Sequence, residues 1–123
     1  DAIIGDNCKI YQNVSIAGRN NRGVPVIKDN VMIGPNCNIM TANHGFERDD
    51  IPMNTQVSIA NKLTINEDVW LGNGVVINSG GREIEIAKGV IIGSNSVVTK
   101  SIKEEYSIWG GYQPSLLNIG LII

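Results

Sequence analysis

Large branched apolar residues return along this chain every six positions. Aligned on them, the sequence reads IGDNCK, IYQNVS and IAGRNN, then IKDNVM, IGPNCN and IMTANH. After an interruption come INEDVW, LGNGVV and INSGGR, and after a shorter one IAKGVI, IGSNSV and VTKSIK. The leading residue is Ile in 10 of these 12 hexads, with Leu71 and Val98 in the other two, a regularity that marks an internal repeat. β-Branching there suits a strand and sends a bulky side chain into the core. The fifth position is smaller (Cys8, Val14, Val31, Cys37, Val69, Val75, Val90, Ser96), so large and small inward residues interdigitate. The fourth is Asn, Asp or Gly in 9 of the 12 hexads, the residue types that tolerate positive φ at a sharp corner.

Three short strands separated by corners make a triangular coil of about 18 residues, and such coils stack at roughly 4.8 Å. The pattern therefore predicts an all-β parallel β-helix of about four coils, 4–21, 27–44, 65–82 and 86–103, forming a single domain over residues 1–123. An α-helix is excluded, because Gly or Asn at every turn would break it. Three stretches leave the period: GRNNRGVPV at 18–26, GFERDDIPMNTQVSIANK at 45–62, and a small bulge, GREIE, between Gly80 and Ile86. Loops that leave a rigid stack are where function concentrates.

Composition narrows the picture. Only 6 of 123 residues are aromatic, so the core must be aliphatic. A net charge of −2 offers no general attraction to nucleic acid or anionic lipid. No signal-peptide pattern or bilayer-spanning apolar run is present, and the apolar end LLNIGLII is too short to span. It reads as a buried or oligomer-facing tail. Cys8 and Cys37 are too few for a disulfide framework and fall on inward positions, which predicts buried, reduced thiols in a cytoplasmic protein. The chain begins at DAIIGDN without Met, as a fragment or processed form would.

The segments VMIGPNCNIMTANH, INEDVWLGNG, IIGSNSVVTKSI and YSIWGG resemble the hexapeptide-repeat O-acetyltransferases. The resemblance runs from Ile4 to about Pro114 and is closest to the maltose and galactoside branch and to enzymes that acetylate polysaccharide sugars. It implies a left-handed parallel β-helix, a homotrimer, and direct transfer of acetyl from acetyl-CoA to a saccharide hydroxyl. Handedness and trimer come from the resemblance alone.

His44, in TANHGFERDD, is the only histidine and aligns with the catalytic base of that family. A sugar hydroxyl needs a base to take its proton, and an imidazole suits that task near neutral pH. The thioester is already activated, so neither a covalent nucleophile nor a metal is required. By the same resemblance Trp70, Asn73, Ser94, Thr99 and Lys100 fall on CoA-contacting positions, Lys100 toward a phosphate. Each has a plainer reading: trimer packing for Trp70, a solvated lysine, ordinary turn and strand residues. The loop after His44 offers Phe46 to stack on a sugar ring and Arg48, among other charges, to bond its hydroxyls. Tyr11 falls near an asparagine that contacts the acceptor in the galactoside branch, so the acceptor is expected to differ from that branch's sugar. Arg19 and Arg22 are candidates for phosphate contact or plain surface residues. The ending GGYQPSLLNIGLII departs from the family's basic C-terminus, which removes the expected partner of the CoA 3′-phosphate.

Rival functions follow from the same segments. CKIYQNVSIAG and GVPVI resemble serine acetyltransferase, yet Gln12 stands where its pattern differs. An amino-sugar N-acetyltransferase stays open, as does a non-catalytic scaffold or oligomerisation piece. A γ-type carbonic anhydrase needs three histidines for zinc and is excluded by a chain with one.

Overall fold

The computed structural model describes residues 1–18 and 23–111, together with the backbone of 115–119. Its strands occur three to a coil. The first coil holds β1 (Ile3–Ile4), β2 (Lys9–Ile10) and β3 (Ser15–Ala17), and the second β4 (Pro25–Ile27), β5 (Met32–Ile33) and β6 (Asn38–Met40). A loop with β7 (Ala42–Asn43) and β8 (Ile59–Ala60) leads to the third coil, β9 (Leu63–Ile65), β10 (Trp70–Leu71) and β11 (Val76–Asn78). The fourth has β12 (Ile84–Ile86), β13 (Ile91–Ile92) and β14 (Val97–Val98), followed by β15 (Ser107–Gly110) and β16 (Ser115–Ile119).

Like strands of successive coils pair in parallel and form three sheets along the stack. The first runs β1-β4-β9-β12, the second β2-β5-β10-β13-β15-β16, and the third β3-β6-β11-β14. Coil-to-coil bonds such as Met32 N–H to Val69 C=O and Trp70 N–H to Val90 C=O, both 2.9 Å, recur at each level. The hexad leaders Ile27, Ile33, Ile39, Ile65, Leu71, Ile77, Ile86 and Ile92 are buried to within 1% of full enclosure. Their stacking is the core.

The corners behave as the fourth position predicts. Asn7, Asn13, Asn30, Asn36, Asp68, Gly74, Gly89 and Asn95 all take positive φ, between 57° and 70°. Gly80, also at a fourth position, does not. Tyr106 joins the set at 53°, and with it comes a turn beyond the four expected. Ile102 bridges to Ile86 and Trp109 lies opposite Ile92, so the stack carries a partial fifth coil. One extra residue between Ile102 and Ser107 breaks the hexad spacing and hid it in the sequence.

Two burial expectations need correction. Ile4 and Ile10 keep 45% and 40% of their surface, because among the described residues their coil is packed from one side only. For the same reason Cys8 is only partly buried, while Cys37 is enclosed. The small bulge is also shorter than GREIE suggests, since Ile84–Ile86 is already paired with Leu63–Ile65.

β16 runs antiparallel to β15. The side chains of the apolar C-terminal tail, and Arg19 and Arg22, lie outside the described residues. No helix among the described residues is long and apolar enough to cross a membrane.

Candidate active site

His44 stands where the chain leaves the third sheet of the second coil. Thr41 is fully buried, and its hydroxyl donates to the Gly23 carbonyl, which fixes the departure point. Ala42–Asn43 then pairs antiparallel with Ile59–Ala60, clamping the two limbs of the loop together. Just past His44, the Gly45 N–H donates to Val57 C=O at 3.0 Å. Gly45 is buried, and a Cβ there would sit 2.7 Å from that carbonyl oxygen. The imidazole itself is exposed, with no hydrogen-bond partner among the described residues. The backbone on both sides of His44 is thus held, while its side chain is open to solvent.

The rest of the loop holds its own shape. Gln56 Nε2 donates to the carbonyls of Arg48 (2.8 Å) and Ile51 (3.4 Å), while its Oε1 accepts the Arg48 N–H at 3.3 Å. These bonds shape a depression of about 370 Å³ walled in part by Glu47, Arg48 and Thr55. Arg48 Nε donates to Asp50 Oδ1 at 2.9 Å. The guanidinium holds the Asp50 carboxyl below its ordinary range and is itself raised by the bond. Arg48 is thus already paired within the loop. Phe46 keeps 68% of its surface, with its ring presented to solvent.

A second group forms at the corner between the second and third sheets. Tyr11, Trp70, Asn73 and Ser94, from three different coils, line one cleft of about 310 Å³ with Met32, Gly34, Pro35 and Gly72. Asn36 Nδ2 donates to Asn73 Oδ1 at 3.2 Å and ties two coils across its wall. A Cβ on Gly72 would lie 2.8 Å from the Ser94 nitrogen, so a side chain there would separate the coils. Among the described residues, no Lys, Arg, Asp or Glu lines this cleft. Its walls are apolar and amide-like, which suits an uncharged ligand segment.

Thr99 and Lys100 sit elsewhere. They follow β14 on the corner between the third and first sheets, the corner from which the His44 loop departs two coils below. Together with Val98, Ile102 and Trp109 they border a cavity of about 190 Å³ over the fourth coil. Lys100 is exposed and has no acidic partner among the described residues. One chain therefore brings Tyr11, Trp70, Asn73 and Ser94 together at one corner, and carries His44, Phe46, Arg48, Thr99 and Lys100 along another.

Sequence reasoning missed the polar root of the loop. Asn43, Asn61, Asn78, Ser79 and Gly80 form one hydrogen-bonded group there. The Gly80–Gly81 pair, where the hexad pattern lapses, was the visible signal.

No family model matches the chain. The galactoside O-acetyltransferase of Lactococcus lactis is 37% identical over 84 residues, 68% of this chain and 38% of that protein. A hexapeptide-repeat-containing acetyltransferase of Vibrio cholerae, solved with acetyl coenzyme A, superposes with a TM-score of 0.83 at 28% identity, over 98% of this chain and 61% of that one. A galactoside acetyltransferase solved with coenzyme A gives 0.71 at 26% identity, over 97% and 65%. The chain spans less than half the length of the sequence relatives it matches. In sequence and in fold the chain is a homologue of the hexapeptide-repeat acetyltransferases of the galactoside and maltose type, built as a left-handed parallel β-helix.

Proposed function

We propose that the chain catalyses transfer of acetyl from acetyl-CoA to a hydroxyl of a saccharide, with His44 as general base. The observation that carries the proposal is the placement of the only imidazole: exposed, unpartnered among the described residues, and on a backbone pinned on both sides. Relatives named as galactoside O-acetyltransferases and neighbours solved with coenzyme A support the donor and the acceptor class.

In this reading His44 takes the proton from the acceptor hydroxyl as its oxygen bonds to the acetyl carbonyl carbon. The carbon–sulfur bond of the thioester then breaks, the imidazolium returns the proton to the leaving sulfur, and an acetyl ester and free CoA thiol remain. The balance needs no metal or oxidant. The neutral cleft beside Trp70 fits the uncharged arm of CoA, with Asn73 and Ser94 as amide and hydroxyl partners. Lys100 provides an exposed cation for a phosphate. Tyr11 in the same cleft, and Phe46 and Arg48 on the loop, are the proposed acceptor contacts.

His44 and the Trp70 cleft lie at different corners of one chain, so the site needs a second copy. We infer a homotrimer in which the His44 corner of one subunit faces the cleft of the next. The second sheet supports this with a register-matched row of Met32, Trp70, Ile91 and Ile108, alternating with the buried Ile33, Leu71 and Ile92. Such a row is suited to burial against another subunit.

The test is thiol release from acetyl-CoA across a panel of galactosides, maltose, amino sugars and serine, for wild type and His44→Ala. The proposal expects turnover with a neutral saccharide and a loss of about 10²-fold or more in the variant. Equal rates would rule out His44 as the base; turnover with serine or an amino sugar alone would replace the acceptor.

A further inference from the structure

We propose that Asn78 is a positioning residue for His44, acting from the third coil through Asn43; the proposal rests on the reading of His44 as the base. The Asn78 side chain is engaged at both ends. Its Nδ2 donates to Asn43 Oδ1 at 2.9 Å, and its Oδ1 accepts the Gly80 N–H at 2.7 Å. The next two residues hold the returning limb of the loop: Gly80 C=O accepts from Asn61 Nδ2, and Ser79 Oγ donates to Asn61 C=O, both at 2.9 Å. Ser79 is fully buried, and its N–H donates to Met40 C=O at 3.0 Å, which anchors the assembly to the second coil. Both limbs of the His44 loop are thus fastened to three consecutive residues of the coil above.

This explains why Gly80 is glycine without a positive φ. A Cβ at that position would lie 2.3 Å from Asn43 Cγ and would push the side chain off its bond to Asn78. The imidazole has no partner of its own among the described residues, so its location depends on the backbone of Asn43 and Gly45. A base must stay within hydrogen-bond reach of its proton donor, and displacement on the order of 1 Å is costly to rate. Asn78 adds nothing to the apolar stack, whose contact at this level is Ile77. Loss of the amide therefore loosens the loop and leaves the coils intact.

A chain with one histidine gives one set of imidazole signals, so magnetic resonance on the whole protein reads His44 directly. Wild type is compared with Asn78→Ala and Asn78→Asp. The aspartate still accepts from Gly80 and accepts from Asn43 once that amide turns over, so it serves as the conservative rescue. Asn78→Ala is expected to bring the imidazole signals toward those of a free histidine. It should also raise hydrogen exchange at the Asn43 and Gly45 amides about tenfold, as loss of one hydrogen bond does. In thiol release from acetyl-CoA with a galactoside, kcat should fall by a similar factor, with KM for acetyl-CoA unchanged and the melting temperature lowered by only a few degrees, as for loss of one hydrogen bond. Asn78→Asp should stay near wild type in all of these. Wild-type imidazole signals and amide exchange in Asn78→Ala overturn the positioning role, whatever the His44 variants do. So does a loosened loop with undiminished kcat in a chain that His44→Ala inactivates. Full activity of His44→Ala overturns the base reading instead, and the amide exchange still reports whether Asn78 holds the loop.

Discussion

Ser96 faces the core at a fifth hexad position and is completely enclosed, yet its hydroxyl has no hydrogen-bond partner among the described residues. Its counterparts in the coils below are Val75 and Cys37, whose thiol donates to Gly72 C=O at 3.0 Å and is pushed up by burial. An unsatisfied buried hydroxyl costs about 1–3 kcal/mol. Ser96→Ala removes it with little change of volume and is expected to stabilise the protein by about 1 kcal/mol, seen as a higher urea midpoint at constant slope. A lower midpoint would mean that the hydroxyl has a role that this account lacks. Most corner residues were legible because a positive φ selects Asn, Asp or Gly by local sterics alone. Gly80 was not: its requirement comes from Asn43, 37 positions earlier, and no local rule carries that distance.

At the level of elements, the strands were legible wherever the hexad survived, since each inward residue is dictated by the pleat. Pattern failed at β15, where Tyr106 takes the corner and Ser107 the small inward place after one inserted residue. There Ser107 Oγ donates to Glu104 C=O and accepts from Trp109 Nε1 at 2.7 Å, a polar link that replaces the aliphatic fit of other coils. The His44 loop was legible only as an interruption, because Gln56 and the Arg48–Asp50 pair shape it through contacts of no fixed period. That pair gives the loop a pH dependence. The folded-state value of Asp50 is depressed by Arg48, so its contribution is present above the ordinary carboxylate range and is lost as pH falls through the lowered value. Both groups are exposed, which keeps the effect small. Amide exchange in residues 46–56, corrected for intrinsic rates, is expected to rise below pH about 4 while the coils stay protected. Loop and coils loosening together would contradict a loop ordered by that pair.

On the scale of the whole molecule, the stack is quasi-one-dimensional: each coil rests on its neighbours, and among the described residues the coil of Ile4 and Ile10 is packed from one side only. Fold class was readable from the sequence because that arrangement repeats one local rule. The proposed site was readable only in part, since its candidate residues are spread over two corners that no periodicity joins. His44 and its loop stand on one corner, and Tyr11, Trp70, Asn73 and Ser94 line the cleft at another. In the function proposed, these groups lie at separate edges of a triangular prism, and a complete site forms where two copies meet. Mixing two defective chains tests this most directly. His44→Ala lacks the base but keeps the cleft; Ser94→Trp fills the cleft but keeps the base. Each alone should release CoA thiol at a small fraction of the wild-type rate. After unfolding together in equal amounts and refolding, random trimers should recover about a quarter of that rate, because one in four sites joins an intact base to an intact cleft. A mixture no faster than its components would contradict a site shared between subunits, and with it the account given for His44.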